Sequence, residues 1–369
     1  MDNIYAEAEN IGRLIFAEYE DYAQSLYGLI VEQETKNFSR SGPFLQWSQE
    51  LQDDSQYFEP DWEKWSTGTP TLSRVLTNYE VGIGIIAGEP NHGKSTQIIQ
   101  MMCDLARCNT DKNIRIVDLS LDDEFGKRYT QMVCNLTGLK YTKIAQAGSM
   151  TQDELEVYNK GRDQVMKWVE EARYIPMLPF HTMSKKNKEG LRTFQLTSFQ
   201  ALLTCMGILR KKWPNDYIVI FIDALQDLDF EGDDFTAQAK ALKSLHDGCL
   251  KYNIMCPCSA HVKKIQHKDL ITKNDIFGSK KLEYICKWIA ILVNEELDDR
   301  EDQKLRITRN GIEYPVVRLN ITKSKVSEIG QTFCIGLLER GCCRIHPVTP
   351  AEWIDYRRRL LEREADRKN

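Results

Sequence analysis

Residues 84–97 read GIIAGEPNHGKSTQ, with Gly88 and Gly93 five apart and Lys94 and Ser95 directly after the second glycine. This is the G-x-x-x-x-G-K-[ST] spacing of a phosphate-binding loop, in which successive backbone N–H groups converge on phosphate oxygens. Glycine permits the tight turn, lysine brings a cation to the outer phosphates, and a serine hydroxyl can hold Mg2+. The context agrees. GIGIIA (82–87) suits a buried strand, and KSTQIIQMMCDLARC (94–108) has the apolar spacing of a helix. A strand, a glycine loop and a helix N-terminus together form a site that favours anions. The sequence therefore predicts bound ATP with Mg2+, cradled by Gly88, Glu89, Pro90, Asn91, His92, Gly93, Lys94, Ser95 and Thr96.

With 369 residues, 42% hydrophobic and 28% charged, the chain has the composition of a globular protein with a sizeable core. No run approaches the ~18 apolar residues of a membrane span, and MDNIYAEAEN is acidic, unlike a signal peptide. The eleven cysteines are irregularly spaced, which suits a reducing cytoplasm. Cys256, Cys258, Cys342, Cys343 and His346 include no C-x-x-C pair, so no zinc site is expected. Charge is uneven: residues 1–64 carry 14 acids and 4 bases, while the whole chain has a net charge of −5. The remainder is mildly basic, which is compatible with nucleic acid.

Three regions are expected. In residues 1–64, Ile4, Ala8, Ile11, Ile15, Tyr19, Tyr22, Leu26 and Leu29 form one stripe on a helix of roughly thirty residues, followed by a linker arm. That stripe requires cover, from its own domain or from another subunit. In residues 65–348, strands and helices alternate, the pattern of an α/β domain with a mostly parallel sheet. In residues 349–369 a charged helix reads as a solvated appendage. Thr151 with Glu154, Thr197 with Gln200 and Thr349 with Glu352 each have the spacing of a capping box.

Three further stretches bear on the nucleotide. YIVIFIDALQDL (217–228) is a strand ending at Asp223, read as lying beside the glycine-loop strand, where a carboxylate completes a Mg2+ shell. IRIVDLSLDDEF (114–125) is a strand delivering Asp122 and Asp123, of which one acid could activate water; Asp123 fits a helix N-cap equally well. MCPCSAHVKKIQHK (255–268) is a strand leading to His261 and then to a lysine-rich loop.

In this order the stretches resemble the RecA-like motor of DnaB-type replicative helicases, especially the hexameric primase–helicases of bacteriophages. The resemblance covers about residues 66–346, including ITKSKVSEIG (321–330). It implies an ATP hydrolase that moves on single-stranded DNA as a ring, in the cytoplasm of a bacterial host, with a primase or loader as possible partner. Asp122 stands at the family's catalytic glutamate, His261 at its γ-phosphate sensor, and Asp223 at its metal aspartate. Lys323 and Lys325 stand where a Lys-x-Arg pair reaches the neighbouring subunit's nucleotide.

Three features depart from the family. Asp122 is a methylene shorter than glutamate, Lys325 lacks the guanidinium fork of arginine, and DLDFEGDD (227–234) has five acids and no base. The second loop is basic, and Lys263, Lys264, Lys268 and Lys273 are the expected contacts to a single-strand backbone. Two alternatives stay open: a recombinase that coats single strands, and a ring-forming scaffold whose ATP site serves assembly.

Overall fold

The computed structural model describes residues 81–366, apart from 111, 122, 124, 147–148, 178–198, 229–234, 263–275, 277–284, 298–303 and 325–331. The N-terminal stripe, the Thr197 capping box, Asp122, Lys325 and the four loop lysines lie outside the described residues.

In chain order the elements are β1 (Gly82–Gly88), α1 (Lys94–Cys108), β2 (Ile114–Ser120), α2 (Phe125–Thr137), α3 (Tyr141–Ala145), α4 (Gln152–Glu170) and β3 (Tyr174–Met177). Next come α5 (Phe199–Lys212), β4 (Tyr217–Asp223), α6 (Phe235–Tyr252), β5 (Ile254–His261) and β6 (Trp288–Asn294). The chain closes with β7 (Arg306–Arg309), β8 (Ile312–Ser324), β9 (Thr332–Glu339), β10 (Arg344–Pro347) and α7 (Pro350–Asp366). One sheet runs β10-β9-β8-β6-β1-β5-β4-β2-β3, with β7 pairing to β8 off that path. From β3 to β6 the pairings are parallel; from β6 to β10 they are antiparallel. The mostly parallel α/β core expected from the sequence is present, extended by an antiparallel flank.

Helices cover both faces, which is why β1 is a continuous apolar run. Ile83, Ile85 and Ala87 belong to one core cluster with residues of α5 and α6, while Ile86 belongs to the cluster on the other face with Ile98 and Met102 of α1. A parallel strand buried on both faces needs this composition. Its apolar burial, at about 25 cal/mol per Å2, is the main favourable term for the core.

β5 lies between β1 and β4, so the Asp223 strand is not the neighbour of the glycine-loop strand. This corrects the sequence reading. Strand order follows from how the crossovers pack, and hydrophobic pattern alone does not encode it.

The C-terminal helix is also more than an appendage. Trp353, Tyr356 and Leu360 are buried against Val316, Ile335 and Leu337. Arg363 Nη1 donates to Glu295 Oε2 at 2.9 Å, and Tyr356 Oη donates to Glu295 Oε1 at 3.0 Å. Its start is capped as expected: Thr349 N donates to Glu352 Oε2 at 2.7 Å, and Glu352 N donates to Thr349 Oγ1 at 3.3 Å. The Thr151 box at α4 closes in the same way.

Candidate nucleotide site

The glycine loop leaves the C-terminal end of β1 and enters α1 at Lys94. Gly93, the N-cap, has φ 97°, a left-handed value that a side chain resists, and no side chain caps the helix. Its first N–H groups therefore stay open to an anion, the arrangement a helix dipole strengthens. A Cβ on Gly88 would sit 2.8 Å from the carbonyl oxygen of Leu292, so only glycine fits so close to β6.

Lys94 is buried, and its Nζ donates to the carbonyls of Gly88 at 2.9 Å and Glu89 at 3.0 Å. The ammonium is thus held over its own loop, within reach of phosphate oxygens entering it. His92 is buried against β6, with Nδ1 3.2 Å from the Leu292 oxygen and 3.4 Å from the Asn294 nitrogen. Pro90 and Asn91 are exposed at the tip, where Arg340 Nη2 donates to the Asn91 carbonyl at 3.1 Å. Ser95 and Thr96 belong to the first turn of α1.

Asp223 ends β4 and is buried. Ser259 Oγ donates to its Oδ1, and Arg128 Nη2 donates to its Oδ2 at 2.8 Å. Burial pushes its pKa up, but the Arg128 guanidinium and hydrogen bonds from Ser259, Arg128 and Ser95 outweigh burial and hold it below the ordinary carboxylate value. An ionised carboxylate joined to the Ser95 hydroxyl is a donor set that suits Mg2+. The loop, with its cation and open helix end, suits a triphosphate. The residues present fit both groups.

His261 ends β5 and pairs with Gly88 in register, so the histidine stands beside the glycine loop. Gln226, in the turn after Asp223, donates through Nε2 to the His261 carbonyl at 3.3 Å. Ser120, at the end of β2, pairs with Asp223, and Leu121 N donates to the Asp223 carbonyl at 2.7 Å. The ends of β1, β5, β4 and β2 thus bring the loop, His261, Asp223 and the segment entering 122 to one edge of the sheet. Asp123 N donates to Ser120 Oγ at 3.3 Å, and its carboxylate pairs with Lys127 on α2. That pairing suits a residue organising the start of a helix.

Lys323 is not drawn to this edge. It is half-buried and pairs with Ile289, which is level with Ile85, three residues below Gly88. At about 3.3 Å per residue this is roughly 10 Å down the sheet.

Sequence reasoning missed the buried group behind Asp223. Arg128 on α2 is 1% exposed; its Nε lies 3.4 Å from Asp118 Oδ2, which also accepts from Tyr174 Oη at 2.9 Å. Burial raises the pKa of Asp118, with Arg128 and Tyr174 acting against it. Burial also works against the charge of Arg128, but Asp118 and Asp223 more than restore it. The signal was present: an aspartate in the middle of the apolar strand IRIVDLS (114–120) calls for a cation from elsewhere in the chain.

No protein-family model matches the chain, and no curated protein matches it in sequence. Solved structures do match. One ATPase domain aligns at 12% identity over 80% of this chain and 99% of its own, with a TM-score of 0.60. A DnaB-like replicative helicase, studied with its interactions with primase, aligns at 12% identity over 93% of this chain and 75% of its own, with a TM-score of 0.61. The RadB recombinase aligns at 15% identity over 77% of this chain and 99% of its own, at a TM-score of 0.40, too low to bear on the fold. Under the low identity lies a shared architecture: the chain has a RecA-like fold, in common with that ATPase domain and that DnaB-like replicative helicase.

Proposed function

We propose that this chain is the motor of an ATP-dependent replicative DNA helicase, phage-encoded and working in a bacterial cytoplasm as a hexameric ring on single-stranded DNA. The observation that carries the reading is one sheet edge. There the glycine loop, Asp223 and His261 stand together, in a fold shared with a DnaB-like helicase and a solved ATPase domain.

In this reading Lys94 and the Gly88–Thr96 loop grip the triphosphate, and Ser95 and Asp223 hold Mg2+. The metal, when bound with ATP, withdraws charge from the phosphate oxygens. Asp122, two residues after the end of β2 in sequence, accepts the proton of the attacking water. His261 touches the γ-phosphate and transmits its loss to the loop that follows, whose lysines Lys263, Lys264, Lys268 and Lys273 grip the DNA backbone. Lys323 and Lys325 act on a neighbouring subunit's nucleotide, a role that for Lys323 is supported by its distance down the sheet from its own site. The acidic, apolar-striped N-terminal segment supplies the subunit contact. A primase is the natural partner, because one structural relative is known with primase interactions.

A second reading, an ATP-binding ring without unwinding, is favoured by the five acids of 227–234 and by lysine at 325. Forked DNA separates the two. A helicase releases the displaced strand with ATP, and Lys94→Ala does not. Nucleotide-dependent assembly without strand release supports the scaffold, and strand coating and exchange without unwinding supports a recombinase.

A further inference from the structure

The buried charges behind Asp223 have no role in the scheme above. Arg128 enters the core from near the start of α2, where an apolar side chain would pack without the cost of desolvating a guanidinium. Its Nη2 holds Asp223 Oδ2 at 2.8 Å, its Nε faces Asp118 Oδ2 at 3.4 Å, and Tyr174 Oη holds that same oxygen at 2.9 Å. The other oxygen of Asp223 is taken by Ser259 on β5. Each carboxylate oxygen of Asp223 thus meets a donor from a different element, and the carboxylate plane cannot turn freely about its last bond.

We infer that Arg128, braced by Asp118, is a positioning residue that fixes the Asp223 carboxylate toward the metal side of the nucleotide site and locks α2, with the segment entering 122, to the same point. Three facts support this. Arg128 lies six residues after 122, on the helix that follows β2, and β2 is the neighbour of the Asp223 strand. The β2 tip is already clamped to Asp223 by the Leu121 N–H at 2.7 Å. A planar guanidinium can bridge two carboxylates at fixed angles, whereas a lysine or an apolar residue cannot. A group that orients a ligand in this way tunes metal affinity more than it tunes nucleotide grip.

The inference rests on the nucleotide-site reading, and the experiment separates the two. Binding of a fluorescent ATP analogue is titrated with EDTA, and then against Mg2+, in the full chain. Lys94→Ala is the control for the site itself. The test variant is the pair Arg128→Met with Asp118→Asn, which removes one charge of each sign, keeps the net charge of the buried cluster and leaves Asp223 with its hydrogen bond from Ser259. Arg128→Lys, which keeps the charge but not the fork, is the second variant.

The expected result is metal-free affinity within about twofold of the parent in both variants, with Mg2+ half-saturation raised at least fivefold in the pair and by less in Arg128→Lys. Half-saturation matching the parent in folded protein would overturn the inference and leave Arg128 a structural ion pair. Binding that survives Lys94→Ala unchanged would overturn the nucleotide-site reading and this inference with it.

Discussion

Gly84 offers a test of the core that involves no chemistry. It pairs with Trp288 across β1 and β6, and a Cβ built on it falls 2.0 Å from Trp288 Cε2, 2.1 Å from Cζ2 and 2.6 Å from Nε1. Ordinary contact needs about 3.5 Å, so the indole must retreat by roughly 1.5 Å. Trp288 is 1% exposed, packed among Ile86, Ile98 and Leu292, so no open space receives it. Overpacking of this kind costs about 1–3 kcal/mol, and a clash with three ring atoms at once belongs near the top of that range. Alanine also restricts the unfolded chain, which returns about 0.4–1 kcal/mol. The net expectation for Gly84→Ala is a loss of about 2 kcal/mol, read as a lower urea midpoint by circular dichroism at unchanged slope. In a Trp288→Leu background the same step should cost less than about 0.5 kcal/mol, because the ring is gone. A Gly84→Ala protein as stable as the parent would refute the packing described, and with it the β1–β6 spacing that sets Gly88 against Leu292.

Lys94→Met removes the ammonium that holds the Gly88 and Glu89 carbonyls; nucleotide affinity should fall at least about tenfold, checked with a fluorescent ATP analogue. Arg363→Ala leaves Glu295 buried with only Arg318 and Tyr356 beside it among the described residues, so the C-terminal helix should be destabilised by roughly 2–4 kcal/mol, read as faster proteolysis within residues 350–366. Burial raises the pKa of Glu352, but the Arg309 side chain and the Thr349 N–H outweigh it, and the carboxyl lies below its ordinary value. Its contribution to stability is therefore present above the unfolded value of about 4.3 and lost as pH falls through the lower folded one. Glu352→Gln should accordingly lose less stability than the parent between about pH 5 and 3, as followed by urea midpoints.

The parts of the site that sequence made legible are those governed by local rules. The β1 strand, the glycine loop and α1 fall where GIGIIA and KSTQIIQMMCDLARC place them, and β4 and β5 end at Asp223 and His261. A continuous apolar run, a glycine loop and a helical period are short-range signals, and each is decided within about fifteen residues. What sequence hid is long-range. That β5 separates β1 from β4 depends on crossover packing, and that Arg128 meets Asp118 and Asp223 depends on how α2 lies across β2. The α7 helix was partly legible: Trp353, Tyr356, Leu360 and Arg363 share one face, but the charges crowding the other faces masked it. A buried arginine on that face is unexpected until Glu295, which follows directly from the end of β6, is seen to receive it.

A DNA-coupled ATP motor, the activity proposed above, is tested most directly by ATP hydrolysis with and without single-stranded DNA at low and moderate salt, alongside Lys94→Ala. Hydrolysis should be strongly stimulated by DNA, the stimulation should fade as salt screens the phosphate contacts, and the variant should show none. Slow hydrolysis indifferent to DNA would contradict that activity and favour the second reading, an ATP-binding protein without unwinding.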